Sequence, residues 1–192
     1  EINEGLWDGI VDRGTTGNVR KEDKSTIDKM KPIDLGDEIS VYMADIDYEE
    51  GGKDHFTWDE AMEINERIKD TGWRLPYGSK EICDIFFTDR HLPHIMKNSL
   101  RQEWDYKKFW ASIWNATTGE KLEFELDNHN GYAVTDYWCD WERPLTASQD
   151  IKTCPSAREF LVGDSGISYG NVIGTNNARK SDLNKIRLVK DK

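Results

Sequence analysis

Three cysteines are the most reactive side chains of this 192-residue chain: Cys83, Cys139 and Cys154. Their number is odd, and their spacings match no zinc-binding pattern. Two interpretations stay open. Either Cys139 and Cys154 form a disulfide, or all three are reduced thiols and Cys83 is buried in a helix. The cysteines therefore predict no metal centre.

Histidines and carboxylates supply two further candidate metal sites. His91 and His94 have the i, i+3 spacing of metal ligands, but no third ligand is evident for them. Asp45, Asp47 and Glu49 alternate along the chain and could bind a cation, although they lack the glycine and terminal glutamate of an EF-hand loop. We expect a solvated acidic turn at these carboxylates, and we predict no metal and no other cofactor.

Motifs of other enzyme classes are missing from the sequence. Asp164-Ser165-Gly166 lacks the Gly-x-Ser-x-Gly pattern of a nucleophile elbow, and no phosphate-binding glycine loop occurs. Asn115-Ala116-Thr117 matches a glycosylation acceptor, but the same residues suit the turn of a hairpin, which is the interpretation we favour. These observations predict a protein that is not an enzyme.

Aromatic and polar residues in the C-terminal part instead predict a binding face. The stretch 137–143 (YWCDWER) combines three aromatic residues with charged ones, and a later polar loop is rich in Asn. Binding surfaces favour these residue types because they join rigid contact area to adaptable hydrogen bonding. The candidate ligand-binding residues are Tyr137, Trp138, Asp140, Trp141, Arg143, Tyr169, Asn171, Asn176, Asn177 and Arg179. The alternative is that the three aromatic residues of the first stretch belong to the core.

Charge limits the class of partner. The chain has 26 Lys and Arg against 37 Asp and Glu, which gives a net charge of −11. Nucleic acids and anionic membrane surfaces both require a cationic patch. No apolar run approaches the roughly 18 residues of a membrane span. We therefore expect neither nucleic-acid binding nor membrane insertion.

The elements that position these residues are short strands, two helices and long loops. Residues 1–33 predict an N-terminal arm or lead-in, and residues 34–192 predict one domain. The clearest helix is Thr57–Thr71, because Thr57 and Glu60 form a capping box and Gly72 follows at the C-cap. A second helix is predicted over Ser79–Phe87.

The remaining segments predict strands and loops. The predicted strands are Ile39–Ile46, Lys108–Trp114, Lys121–Leu126, Tyr132–Trp138, Ala157–Val162 and Lys185–Val189. The predicted loops include Pro32–Gly36, Asp89–Asp105 and Gly163–Asn184. This order indicates an α+β fold with two helices and a mostly antiparallel sheet.

Four ordered segments carry a resemblance to a known family. They are Phe56–Met62 (FTWDEAM), Gly72–Pro76 (GWRLP), the hairpin Phe109–Phe124 with its WNxxTGE turn, and Asn184–Asp191 (NKIRLVKD). The set resembles the bacterial and phage C-type-lectin-like domains of the large paralogous surface-protein type. Those domains are related in fold to formylglycine-generating enzyme and to the variable proteins of diversity-generating retroelements. The resemblance covers roughly residue 34 to the C-terminus and implies a C-type-lectin-like fold with long irregular loops.

The resemblance implies recognition, because the catalytic and calcium motifs of its relatives are missing. Cys139 and Cys154 are too far apart in sequence to match the paired cysteines of formylglycine-generating enzymes. The Glu-Pro-Asn or Gln-Pro-Asp loop and the Trp-Asn-Asp strand of calcium-dependent lectins do not occur. Retroelement-diversified relatives bind ligands through this C-terminal part of the fold.

We therefore expect non-catalytic recognition of a protein or glycan at a cell or virion surface. Such a protein would be extracellular and would serve as an adhesin, or as a phage receptor-binding or decoration protein. The alternative expectation is a structural subunit of a virion or surface appendage. In that case the N-terminal arm would mediate assembly, either into a homo-oligomer or with virion proteins.

Overall fold

A computed structural model describes residues 19–37, 40–77, 100–142, 155–163 and 173–192 of the chain. These residues form two α-helices, α1 (Lys21–Ile27) and α2 (Trp58–Ile68), together with short strands. The strands are β1 (Pro32–Asp34), β2 (Val41–Ala44), β3 (Trp73–Arg74), β4 (Leu100–Asp105), β5 (Trp110–Asn115), β6 (Lys121–Glu125), β7 (Asp127–His129), β8 (Tyr132–Glu142), β9 (Ser156–Gly163), β10 (Ile173–Arg179) and β11 (Val189–Asp191). No helix within these ranges has the length and apolar character needed to cross a membrane. The predicted helix Ser79–Phe87 lies outside the described residues.

The strands form three sheets, and their pairings within the described ranges are antiparallel. The strand orders are β1-β2-β11-β3, β10-β9-β8-β7 and β4-β5-β6. An isolated parallel bridge between Tyr137 and Lys185 connects β8 to the segment before β11. The predicted α+β class with mostly antiparallel sheets is confirmed.

Helix α2 forms as its sequence predicts. The Thr57 hydroxyl accepts the N–H of Glu60, and the Glu60 carboxylate accepts the N–H of Thr57, so two backbone donors of the first turn are satisfied. The helix tightens into a 3₁₀ turn at Lys69–Thr71 and ends at Gly72, whose φ of 80° lies in the left-handed region. Trp58, Ala61, Ile64 and Ile68 form the buried face of the helix.

Strand β8 passes between two hydrophobic clusters, which bury both of its faces at positions 137–139. Tyr137 and Cys139 point into a cluster with residues of the β4-β5-β6 sheet, including Ile113 and Phe124. Trp138 points the other way, into a cluster with the buried face of α2. Successive residues of a strand face opposite sides, so consecutive aromatic residues are both part of the core here.

The described part of the predicted N-terminal arm or lead-in contains a helix that the sequence did not predict. Residues 21–27 form α1, which a buried carboxylate holds against the domain. Asp23 accepts hydrogen bonds from Arg67 Nη2 at 2.8 Å and Nε at 3.1 Å, from the Tyr48 hydroxyl and from the backbone N–H of Arg20. Burial alone would raise the pKa of Asp23, but these hydrogen bonds outweigh burial and lower the pKa. Sequence reasoning missed the helix because its contacts to the domain are mainly polar.

Four predicted boundaries were wrong, three of them because a segment without a strong apolar pattern pairs with a neighbouring strand. Pro32–Asp34, predicted as a loop, is β1, where Pro32 is tolerated at the first position of an edge strand. The predicted loop Asp89–Asp105 ends in β4, and the predicted loop Gly163–Asn184 contains β10. The last strand begins at Val189, because Ile186–Leu188 are buried without entering a ladder.

Candidate functional site

A bulge in β8 determines which residues of the predicted binding stretch reach the surface. Trp138 pairs with Glu159 and Glu142 pairs with Ala157, so three residues of β8 lie opposite the single residue Arg158 of β9. Extra residues in one strand bend it and redirect its side chains. The alternation of buried residues along β8 is therefore broken between positions 138 and 142.

Tyr137 and Trp138 precede the bulge and have no exposed surface. Tyr137 stacks on Phe160, with ring centroids 4.8 Å apart, and meets Phe124 edge-on. The Trp138 indole N–H donates to the carbonyl of Phe56 at 2.7 Å. The expectation that both residues contact a ligand is therefore corrected. They are core residues, because β8 is covered on both faces.

Asp140 and Trp141 lie in the bulge, and Trp141 is 43% exposed. The backbone of the bulge is anchored, since the Asp140 N–H donates to the Pro76 carbonyl at 2.8 Å and the Trp58 indole donates to the Cys139 carbonyl at 3.2 Å. The Asp140 carboxylate accepts a hydrogen bond from the Asn65 amide at 3.3 Å. Burial raises the pKa of Asp140, while the charge of Arg74 acts in the opposite direction.

The segment that follows α2 contributes the other half of this surface. The Arg74 guanidinium lies 3.7 Å from the centre of the Tyr77 ring and forms an ion pair with Asp191 at 2.7 Å. Tyr77 itself is 54% exposed. The sequence prediction did not include Arg74 or Tyr77 among the candidate site residues. An aromatic residue directly after Pro76 was the available signal.

We call this surface, formed by Asn65, Arg74, Tyr77, Asp140 and Trp141, the bulge surface. Tyr77 and Trp141 each follow one of the two residues joined by the Asp140–Pro76 hydrogen bond, so their two segments run side by side. The surface contains two exposed aromatic rings, one cation, one carboxylate and one amide. These groups can stack against a ligand and exchange hydrogen bonds with it.

The other predicted site residues do not all join the bulge surface. Asn176, Asn177 and Arg179 lie on the edge strand β10, where the Asn177 side-chain oxygen accepts a hydrogen bond from Arg158 at 2.9 Å. Asn176 and Arg179 are exposed. The last three predicted residues lie outside the described part of the chain: Arg143, Tyr169 and Asn171.

Two acidic residues, Asp136 and Glu159, lie on strands β8 and β9 next to the start of the bulge. Glu159 is only 5% exposed and accepts a hydrogen bond from the Asn184 amide at 2.7 Å. Burial raises the pKa of Glu159 to about 7, with a further increase from the charge of Asp136 and a smaller opposing effect of the Asn184 hydrogen bond. Burial also raises the pKa of Asp136. Glu159 therefore changes its charge near neutral pH.

The predicted acidic turn is more ordered than a solvated loop. Asp45 accepts the backbone N–H of Lys31 at 2.7 Å, and Asp47 accepts a hydrogen bond from the buried Arg187 at 2.6 Å. Within the described ranges, no three His, Cys, Asp or Glu side chains are arranged to hold a metal ion. His91, His94 and Cys154 lie outside those ranges, so both interpretations of Cys139 and Cys154, a disulfide or reduced thiols, stay open.

The bulge surface thus places two exposed aromatic rings beside polar groups, and core residues anchor the backbone beneath it. Comparison with known proteins adds no relative from which a role could be transferred. No protein-family model, curated protein or solved structure matches the chain.

Proposed function

We propose that the chain is a C-type-lectin-like domain that recognises a protein or glycan at a cell or virion surface without catalysing a reaction. The four sequence segments that resemble such domains support the fold, together with the α+β architecture. The bulge surface is the proposed contact region. Asp140 and Trp141 come from the residues expected to bind ligand, and Arg74 and Tyr77 are added by their position in the fold.

The main observation that supports this proposal is the exposure of Tyr77 and Trp141. Trp and Tyr bury large areas when they are covered, and they are frequent among the residues that dominate binding energy. Both rings are held outside the core by anchored backbone: one by the bulge and the other by the residues after α2. A surface of this kind gains contact area when a partner covers it.

The polar groups of the bulge surface are already oriented before a ligand arrives. Arg74 is fixed between Tyr77 and Asp191, and Asp140 is fixed by Asn65. Groups held in place lose less conformational entropy on binding than mobile ones do. Stacking on Tyr77 also orients the Arg74 guanidinium, which supplies the positive charge of the bulge surface.

The alternative function, a structural subunit that assembles through its N-terminal arm, receives less support. Helix α1 and strand β1 are folded onto their own domain through Asp23, Arg67 and the pairing of β1 with β2. The part of the lead-in that is described therefore already has its contacts within the chain. Residues 1–18 lie outside the described residues and are the segment on which this alternative depends.

A glycan array and an array of cell-surface proteins, probed with the labelled chain, test the proposal. Trp141→Ala and Tyr77→Ala should each reduce the signal on the bound spots about tenfold or more, as expected for central aromatic contacts. Trp104→Ala and Tyr132→Ala are matched controls, because both residues are exposed aromatics that do not belong to the bulge surface. If both bulge-surface variants bind as the wild type does, the bulge surface is not the contact region.

A further inference from the structure

An open cleft lies at the free edge of strand β6 and shares no residue with the bulge surface. Its volume is about 620 Å³, within the range of sites that hold small molecules. Ile46 and Asp47 border it on one side, and Phe109 and Trp110 border it on the side of the β4–β5 turn. The cleft therefore combines an apolar wall with polar groups, as ligand sites commonly do.

The polar groups at the base of the cleft are an ion pair that the fold holds rigidly. Arg187 is only 2% exposed and donates to Asp47 at 2.6 Å, to the Ala44 carbonyl at 3.1 Å and to the Glu123 carbonyl at 3.0 Å. Its guanidinium also lies 4.4 Å from the centre of the Phe124 ring. Asp47 is more exposed than Arg187, and its second oxygen accepts the Tyr137 hydroxyl at 3.4 Å and lies 3.6 Å from Lys185 Nζ. A carboxylate oxygen accepts more than one hydrogen bond, so the exposed side of Asp47 can also accept a ligand hydroxyl.

The same contacts disfavour a peptide strand as the occupant. An added strand would need the outward-facing backbone groups of β6. The Glu123 carbonyl is already occupied by Arg187, and the Glu125 carbonyl accepts the Thr135 hydroxyl at 3.4 Å. Two acceptors of this edge are therefore engaged within the chain.

The balance of charge favours an uncharged ligand. The residues around the cleft include two lysines and one arginine against two aspartates and two glutamates, so one negative charge remains. An anionic ligand would meet a net negative charge, and a cationic one would find Asp47 and Glu123 already paired with Arg187 and Lys121. The cleft residues supply both donors and acceptors, which suits a molecule whose hydroxyl groups can serve as both.

Trp110 provides the flat apolar surface that such a molecule would need. Its ring is partly buried, with Lys121 Nζ 5.7 Å from the ring centre. A pyranose ring has an apolar face of C–H groups and a rim of hydroxyls, so one face can stack on an indole while the rim reaches charged side chains. Together with Ile46 and Phe109, Trp110 forms a wall of this kind.

We propose that this cleft binds a neutral saccharide unit, which stacks on Trp110 and donates a hydroxyl hydrogen bond to Asp47. This second site is independent of the proposed recognition surface, since neither needs the other for its contacts. It requires no metal ion, because the groups that contact the sugar belong to the chain.

Saturation-transfer NMR of the whole chain tests the proposal, with methyl glycosides of glucose, galactose, mannose and N-acetylglucosamine as probes and EDTA present throughout. At least one neutral glycoside should show transfer to its ring protons, and 3′-sialyllactose should show less. Trp110→Ala should weaken binding about tenfold or more, while Trp110→Phe keeps a flat ring and should retain part of it. Trp104→Ala, on the neighbouring strand β4, is the matched control and should bind as the wild type does.

Any of three results would overturn the proposal that the cleft binds a saccharide. No neutral glycoside shows saturation transfer, Trp110→Ala binds as tightly as wild type, or the chain prefers the sialylated probe. Near-UV circular dichroism of Trp110→Ala shows whether its fold is kept, and Trp110→Phe decides the question if that fold is lost. Loss of saccharide binding in Trp141→Ala would place the sugar at the bulge surface, which would overturn this inference while supporting the proposed function.

Discussion

Replacement of Glu159 by Gln should make the stability of the protein less dependent on pH. Glu159 is almost fully buried, its carboxylate accepts the Asn184 amide at 2.7 Å, and Asp136 lies close enough to disfavour a second negative charge. Burial therefore raises the pKa of Glu159 to about 7 from an ordinary value of 4.5. Gln has the same shape and keeps an oxygen that can accept the Asn184 hydrogen bond, but it never ionises.

The sign and size of the effect follow from linkage between protonation and folding. The folded state binds the Glu159 proton more tightly than the unfolded state does, so the contribution of Glu159 to stability is complete below pH 4.5 and is lost as the pH rises to about 7. Each pKa unit corresponds to about 1.4 kcal/mol, so the full loss is about 3 kcal/mol. Between pH 5 and pH 8, the free energy of unfolding of Glu159→Gln should rise relative to wild type by about 2–3 kcal/mol.

Urea denaturation followed by tryptophan fluorescence, at pH 5, 6, 7 and 8, measures this difference directly. The eight tryptophans supply the signal, and Glu103→Gln, an exposed carboxylate on β4, controls for the loss of one negative charge. The difference in free energy of unfolding between Glu103→Gln and wild type should be the same at all four pH values. A constant difference between Glu159→Gln and wild type from pH 5 to pH 8 would refute the reasoning, because it would show that Glu159 ionises equally in both states.

Three further changes test contacts that hold the fold together. Arg67→Ala leaves the buried Asp23 carboxylate without its main partner and should lower the free energy of unfolding by about 3–5 kcal/mol in urea denaturation. Arg20→Ala removes an exposed ion pair with Glu50 and should lower the same free energy by less than about 1 kcal/mol. Arg187→Met should lower the free energy of unfolding by about 3 kcal/mol, because Asp47 and two carbonyl groups lose a buried donor. Gly163→Ala should destabilise far more than Gly72→Ala, although both positions have positive φ. A Cβ at 163 would lie 2.2 Å from the Ala133 carbonyl oxygen, whereas at 72 it meets only the flexible Lys190 side chain at 3.2 Å. The free energies of unfolding of the two variants, measured by thermal melts, should differ by about 1 kcal/mol or more.

Local signals in the sequence were enough to predict the helix α2 and the central hairpin. The capping box of Thr57 and Glu60 and the left-handed Gly72 act within a few residues, so a single segment contains all the information. The hairpin β5–β6 was likewise marked by alternating apolar residues and a turn at Asn115–Gly119. Where one segment determines its own conformation, the prediction and the structure agree.

Elements that depend on distant partners could not be predicted in this way. Helix α1 lacks an apolar stripe, and its position follows from a carboxylate that meets Arg67 from a helix far along the chain. Strand β10 has the composition of a loop, but it extends because the ladder of β9 lies beside it. In both cases the group that stabilises the element is distant in sequence, so local composition predicts the wrong secondary structure.

Within the candidate site, local sequence again predicts some features and distant contacts decide others. Trp138 and Trp141 are three positions apart and have the same side chain, yet one is buried and the other is exposed. Regular alternation would place them on opposite faces of β8, and both of those faces are covered near position 138. The bulge opposite Arg158 releases Trp141 from this arrangement, and the Pro76 carbonyl holds the bulge in place. Sequence therefore locates the aromatic stretch, while the irregular pairing of β8 with β9 decides which ring can meet a ligand.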